Sequence, residues 1–183
     1  RIKRYERADK ELWDNFVGKS KNGTFLFMRD YMDYHADRFQ DFSLIIYHDS
    51  GEFAALLPAN RKSHACFSHG GLSYGGFITD RTMKLPRMIE VFGTTLRYLR
   101  EENFRELHYT TVPHIYARLP SEEDRYALFL CEARRHRSNA LAVLPRAGDV
   151  AWQERRTQGA KKAAHSGQVG RRSDECAAYW ALV

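Results

Sequence analysis

The sequence is short of the features that usually settle function early. No apolar run approaches the roughly 18 residues that a membrane-spanning helix needs, and no signal-peptide core opens the chain. A cytoplasmic protein is the expectation. The three cysteines, Cys66, Cys131 and Cys176, are an odd number without a CxxC pair. That argues against a disulfide framework and a zinc cluster and for a reducing compartment. The phosphate- and metal-binding signatures are missing too: there is no GxxxxGK[ST] loop, HExxH pair, GxSxG elbow or GxGxxG turn. The eight histidines are scattered, with no pair at ligand spacing on an expected helix, so no metal is expected.

What is present fits a globular chain of ordinary domain size. Hydrophobic residues make up 43% of the 183 positions and charged residues 28%, a balance that can bury a core. The net charge of +6 and a pI near 9.3 favour an anionic partner without naming one. Periodicity gives a mixed order of elements. Residues 1–6 alternate as a strand, and Leu12, Trp13, Phe16 and Val17 stripe a helix over 8–19 that Asn22-Gly23 ends. A short aromatic-faced helix is expected over 31–39. Two strands, 43–47 and 53–57, flank the turn Asp49-Ser50-Gly51, and Pro58 closes the second. Leu85, Ile89, Phe92, Leu96 and Leu99 stripe the clearest helix, with Pro86 at its start and Asn103 at its end. A strand over 105–112, a helix opened by Ser121, a strand over 139–144, a basic helix over 152–165 and a terminal helix capped by Ser173 or Asp174 complete the reading. Strands interspersed with helices point to an α/β or α+β domain, with a mixed central sheet flanked by helices.

Two segments carry chemistry. SHGGLSYGGFITD (68–80) holds four glycines in thirteen residues. Glycines this dense are either a hairpin with two tight turns or places where backbone approaches a bound group. On the pocket reading, Gly70, Gly71, Gly75 and Gly76 let the chain pass close to substrate. Tyr74 and Phe77 form walls, and Asp80 braces the turn. His69 is a candidate general base, and Tyr74 or Tyr109 could hold a catalytic water. A side chain at Gly75 is then expected to weaken substrate use without unfolding the protein. The second segment, QERRTQGAKKAAHSG (153–167), is basic. Its Arg155, Arg156, Lys161 and Lys162 are either a solvated helix surface or contacts to phosphates of a nucleotide, a lipid-linked sugar or an RNA end. Asp33, Asp37, Arg38 and Asp41 suggest a local charge network beside Tyr31, Tyr34 and Phe39.

The succession FLFMRDYMDYHADRFQDFSLIIY (25–47), AALLPAN (54–60), SHGGLSYGGFITD and RRTQGAKKA (155–163) resembles the FemAB-like proteins. These belong to the acyl-CoA N-acyltransferase superfamily of GNAT type. YGGFITD resembles the family's aromatic–glycine–glycine/proline–xx–Asp element. RRTQGAKKAAHSGQV resembles its basic RxxxxKAxxxGxxV segment, and TTVPHIY (110–116) a strand-end element. The sequence departs at Gly76, where many Fem enzymes have proline. The resemblance implies an N-acyltransferase fold over 1–150, and over 151–183 a basic helix that opens a second, truncated fold. It implies acyl transfer from acyl-CoA (acetyl-CoA) or aminoacyl-tRNA to an amine acceptor of cell-envelope or polysaccharide precursor metabolism. This chain would mainly supply the acceptor-binding half, because the second fold usually carries donor binding. Partners would be a small-molecule, lipid-linked or nucleotide-linked acceptor, and tRNA where the donor is aminoacyl-tRNA. The rival expectation is a non-catalytic transferase-fold module that binds RNA or a nucleotide-linked partner through its basic helix.

Overall fold

The computed structural model describes residues 1–34 and 36–139, together with Gln158, Gly159, Lys161, Lys162 and His165. The chain divides into two compact units, Arg1–His136 and Arg137–Val183. The first contains β1 (Ile2–Arg4), α1 (Lys10–Lys19), α2 (Arg29–Asp33), β2 (Gln40–Asp41), β3 (Leu44–Tyr47) and β4 (Phe53–Leu57). There follow β5 (Asn60–Lys62), β6 (Ala65–Phe67), β7 (Ile78–Thr79), α3 (Leu85–Glu101), β8 (Glu106–His108) and α4 (Glu123–Leu130). In the second unit the five described residues between 158 and 165 are helical and exposed. The expected strand over 139–144 and the terminal helix lie outside the described residues, apart from Asn139.

The class is the expected mixed α/β, but the strands form two sheets in place of one central sheet. The first is antiparallel, in the order β1-β3-β4-β7; the second runs β2-β5-β6-β8, with β6 and β8 parallel. One long hairpin crosses from the second sheet to the first at Phe42-Ser43 on one arm and Pro58-Ala59 on the other. The crossing keeps its hydrogen bonds: Phe42 N–H donates to the Ala59 carbonyl at 2.8 Å, and Ala59 N–H donates to Ser43 Oγ at 3.2 Å. The serine hydroxyl thus stands in for a backbone carbonyl where the strands bend.

The first sheet is covered on both faces, which explains the unbroken apolar runs of β3 and β4. Alternate residues go to opposite sides. Leu44, Ile46, Ala55 and Leu57 join Met88, Val91, Phe92 and Leu99 of α3 in one core cluster. Ile45, Leu56 and Ile78 join Trp13, Val17, Phe27 and Met32 in the other. Trp13 is fully buried, and its Nε1–H donates to the Phe27 carbonyl at 2.8 Å. The buried stripe of α3 is rotated from the expected one. Met88, Val91, Phe92, Thr95 and Leu99 face inward, and Ile89 is 38% exposed. A helix that packs on both a sheet and α4 admits two overlapping stripes through Phe92 and Leu99, and contact decides between them.

Two further expectations shift. The aromatic-faced helix is α2, which begins earlier, at Arg29, and ends at Asp33. Asp33 and Asp41 bond the Arg29 guanidinium, not Arg38. Arg29 is 2% exposed and lies 3.7 Å from the centre of the Tyr5 ring.

Candidate functional site

The glycine-rich stretch folds against its own protein. Gly70 N–H donates to Asn60 Oδ1 at 2.7 Å. A Cβ at Gly71 would come within 2.4 Å of the Phe39 ring, and one at Gly75 within 1.6 Å of the Ser68 carbonyl oxygen. Gly76 has φ +83°, and a Cβ there would meet the Tyr109 hydroxyl at 2.7 Å. The close approach that these glycines permit is therefore backbone on backbone at Gly75, and backbone on the Phe39 and Tyr109 rings at Gly71 and Gly76. The expectation that a side chain at Gly75 leaves the fold intact is corrected accordingly.

Three N–H groups of the run that could face an acyl carbonyl are engaged. Gly75 N–H donates to the Thr110 carbonyl at 3.2 Å, Phe77 N–H to the Tyr109 hydroxyl at 2.8 Å and Thr79 N–H to Asn22 Oδ1 at 2.9 Å. The carbonyls on the same edge are taken as well. Asn22 Nδ2 donates to the Phe77 carbonyl at 2.8 Å, and Lys21 N–H donates to the Thr79 carbonyl at 3.0 Å. Asn22, read from sequence only as a helix breaker, acts as one step of a missing strand and seals the edge of β7. As folded, these groups are not open to an acyl donor laid along this strand.

Tyr109 and Tyr74 are structural within this arrangement. The Tyr109 hydroxyl donates to Asp124 Oδ2 at 2.9 Å, linking α4 to the glycine run. Burial pushes the Tyr109 phenol well above its ordinary value, and the neighbouring Asp124 charge adds to the rise. Burial also raises the Asp124 carboxyl, against the lowering effect of the Tyr109 hydrogen bond. The Tyr74 hydroxyl donates to Thr24 Oγ1 at 3.1 Å, its ring stacks on Tyr116 at 5.2 Å, and burial raises its phenol. His69 has φ +65° and is 7% exposed, with its ring 5.6 Å from that of Phe39. In the second unit Lys161 and Lys162 are exposed on their helical segment. Arg155 and Arg156 lie outside the described residues.

Asp80, at the end of the run, is placed differently. It lines a cavity of about 400 Å³ between the β3–β4 turn and the first turns of α3. Arg87, Glu90, Val91 and Thr94 line the helix side, spaced as one face of an α-helix. His48 and Glu52 come from the turn, and Thr82 from the loop before the helix. His69 and Tyr74 do not line it. His48 Nε2 is 3.8 Å from Asp80 Oδ2, with the two side chains 16% and 26% exposed. Thr82 Oγ1 donates to the same oxygen at 2.7 Å. Asp80 Oδ1 is buried and has no hydrogen-bond partner among the described residues.

No protein-family model and no curated protein matches the chain. Solved structures similar to it include two aminoglycoside antibiotic 6'-N-acetyltransferases. AAC(6')-IG from Acinetobacter haemolyticus is 11% identical at a TM-score of 0.46, and AAC(6')-Ih from Acinetobacter baumannii is 11% identical at 0.44. Each alignment covers 81% of this chain and 99% of the other. At that distance the two enzymes establish neither fold nor activity for this chain.

His48 was the residue that sequence reasoning missed, one histidine among eight with no spacing to mark it. The only local signal was its position at the start of the hairpin turn. Among the described residues no group of histidine, cysteine and carboxylate side chains is arranged to hold a metal ion. Nor is any described helix long and apolar enough to cross a membrane.

Proposed function

We propose that this protein takes part in N-acyl transfer to an amine, and that the unit Arg1–His136 holds the acceptor while the acyl donor is held elsewhere. The carrying observation is the contrast within one segment. Gly75, Phe77 and Thr79 have their N–H groups engaged by Thr110, Tyr109 and Asn22, whereas Asp80 lines a polar cavity beside His48. An amine needs two things before it attacks a carbonyl: a fixed position and the loss of a proton. Asp80 Oδ2, the oxygen nearest His48, would accept a hydrogen bond from the amine, and His48 beside it would take the proton.

The sequence resemblance to FemAB-like N-acyltransferases supports the same direction. It also supports an acceptor from envelope sugar or amino acid precursor metabolism, with acyl-CoA or aminoacyl-tRNA as donor. Considered by themselves, the basic residues Arg155, Arg156, Lys161 and Lys162 are suited to phosphates of a nucleotide, a lipid-linked sugar or an RNA end.

The test is acceptor-dependent release of free CoA or free tRNA by the full chain together with its donor-binding partner or domain. Asp80→Asn and His48→Gln are each expected to lower the rate at least tenfold while leaving the thermal midpoint within a few degrees. Unchanged turnover in both variants would remove the assignment of this cavity. Steeply salt-dependent RNA binding without turnover would favour a non-catalytic binding module instead.

A further inference from the structure

A second cavity, of about 560 Å³, lies where the C-terminal half of α3 meets β8, and it is larger than the one beside Asp80. Leu96 and Leu99 of α3, Phe104 of the following turn and Leu107 of β8 form its apolar floor. Leu99 and Phe104 belong to the core cluster that includes Phe92, and Leu96 and Leu107 pack against that cluster while staying partly exposed. The core therefore reaches the surface here, through a leucine that the periodicity of α3 would bury. Apolar surface left open in a concavity of this size suits the apolar part of a small ligand.

The rim supplies the polar half of the argument. Arg100 and Arg105 both line the cavity and are exposed, and neither guanidinium has a hydrogen-bond or ion-pair partner among the described residues. Arg29 and Arg125, by contrast, have carboxylate partners. His64, also in the lining, has its Nδ1 3.1 Å from the Asn103 carbonyl. A carbonyl oxygen only accepts, so Nδ1 carries the proton and the ring is held in place. Among the described residues Glu106 is the one carboxylate of the lining, and it is engaged by His108 Nε2 at 2.9 Å. An apolar floor under two unpaired guanidinium groups is complementary to one kind of molecule. Its body is apolar and its head is an anion that a guanidinium can grip with two hydrogen bonds.

We infer that this cavity binds a small amphiphilic anion, with its apolar body on Leu96, Leu99, Phe104 and Leu107 and a carboxylate or phosphate head between Arg100 and Arg105. The inference concerns binding alone, at a place apart from Asp80 and His48, and holds whether or not the protein transfers acyl groups.

The experiment is a calorimetric titration of the full 183-residue chain at low salt with decanoate, decyl phosphate, decanol, decyltrimethylammonium and inorganic phosphate, each below its micellar concentration. Decanoate or decyl phosphate is expected to bind at least about tenfold more tightly than decanol, decyltrimethylammonium or inorganic phosphate. Whichever of the two binds better identifies the head as carboxylate or phosphate. Arg100→Ala and Arg105→Ala should each reduce the advantage of the anion over decanol. Arg97→Ala, which removes the same charge from α3 outside the cavity, should leave it unchanged. All three arginines are exposed, so folding is not at stake, and the comparison of probes on the wild-type chain needs no variant. Inorganic phosphate binding as tightly as decyl phosphate would show charge attraction without use of the floor and would overturn the inference. So would decanol matching decanoate, an equal loss in Arg97→Ala, or no binding of either amphiphilic anion.

Discussion

Replacing Gly75 with alanine tests whether the glycine run is internal packing. The added Cβ would stand 1.6 Å from the Ser68 carbonyl oxygen and 2.7 Å from its carbon. Carbon–oxygen contacts normally settle near 3.3 Å, so the two backbone segments must part by roughly 1.7 Å. That movement strains three hydrogen bonds. Gly75 N–H to the Thr110 carbonyl is 3.2 Å, Thr110 N–H to Ser68 Oγ 2.7 Å, and Ser68 N–H to the His108 carbonyl 2.9 Å. At about 1 kcal/mol net each, with about 1–3 kcal/mol for overpacking, the cost is about 4–6 kcal/mol. A domain of this size is stable by about 5–15 kcal/mol, so the variant should melt at least roughly 10 °C lower. Gly93→Ala is the matched control. Gly93 lies inside α3, and a Cβ there would meet nothing within 4 Å. This substitution should be neutral or stabilise by about 0.5–1 kcal/mol. The assay is thermal and urea unfolding followed by circular dichroism. A Gly75→Ala protein as stable as the wild type would refute the packing argument and restore the pocket reading of the run.

Other consequences follow from the same geometry. Asn22→Ala leaves the Thr79 N–H and the Phe77 carbonyl without partners at the β7 edge, and urea unfolding should show a loss of about 2 kcal/mol. The Asp124 carboxyl has a folded pKa above its unfolded value. The native state therefore binds the proton more tightly, and this group's contribution makes stability fall as pH rises from the unfolded value through the folded one. Asp124→Asn should flatten that fall in a pH series of melts, and an unchanged slope would count against the burial argument. Burial pushes the Cys66 thiol up to about 12, whereas Cys131 is exposed. Peptide mapping after iodoacetamide treatment at pH 7.5 should find Cys131 labelled and Cys66 untouched until the domain unfolds.

Sequence reading served best where an element's signal is local. The β3–β4 hairpin, α1 and α3 were legible because burial on a packed face leaves a period of 2 or 3.6. Of the second sheet, β8 lies within the strand expected over 105–112, whereas β2, β5 and β6 were not legible, since strands of two or three residues leave no period to read. The glycine run shows the limit more sharply. Its composition says that something approaches the backbone closely, but not what. The approaching groups, Ser68, Tyr109 and Thr110, are fixed by folding, and Thr79 meets Asn22 across 57 positions of chain. Asp80 was legible as the end of a motif. Its neighbour His48 was not, because only the hairpin turn brings the two within 3.8 Å.

The central claim, that this chain holds an acceptor while the acyl donor is held elsewhere, is tested most directly by titrating acetyl-CoA into the full chain at low salt in a calorimeter, after circular dichroism has shown it folded. The sealed β7 edge predicts no saturable heat. One-to-one saturable binding would contradict the claim and place a donor site within these 183 residues.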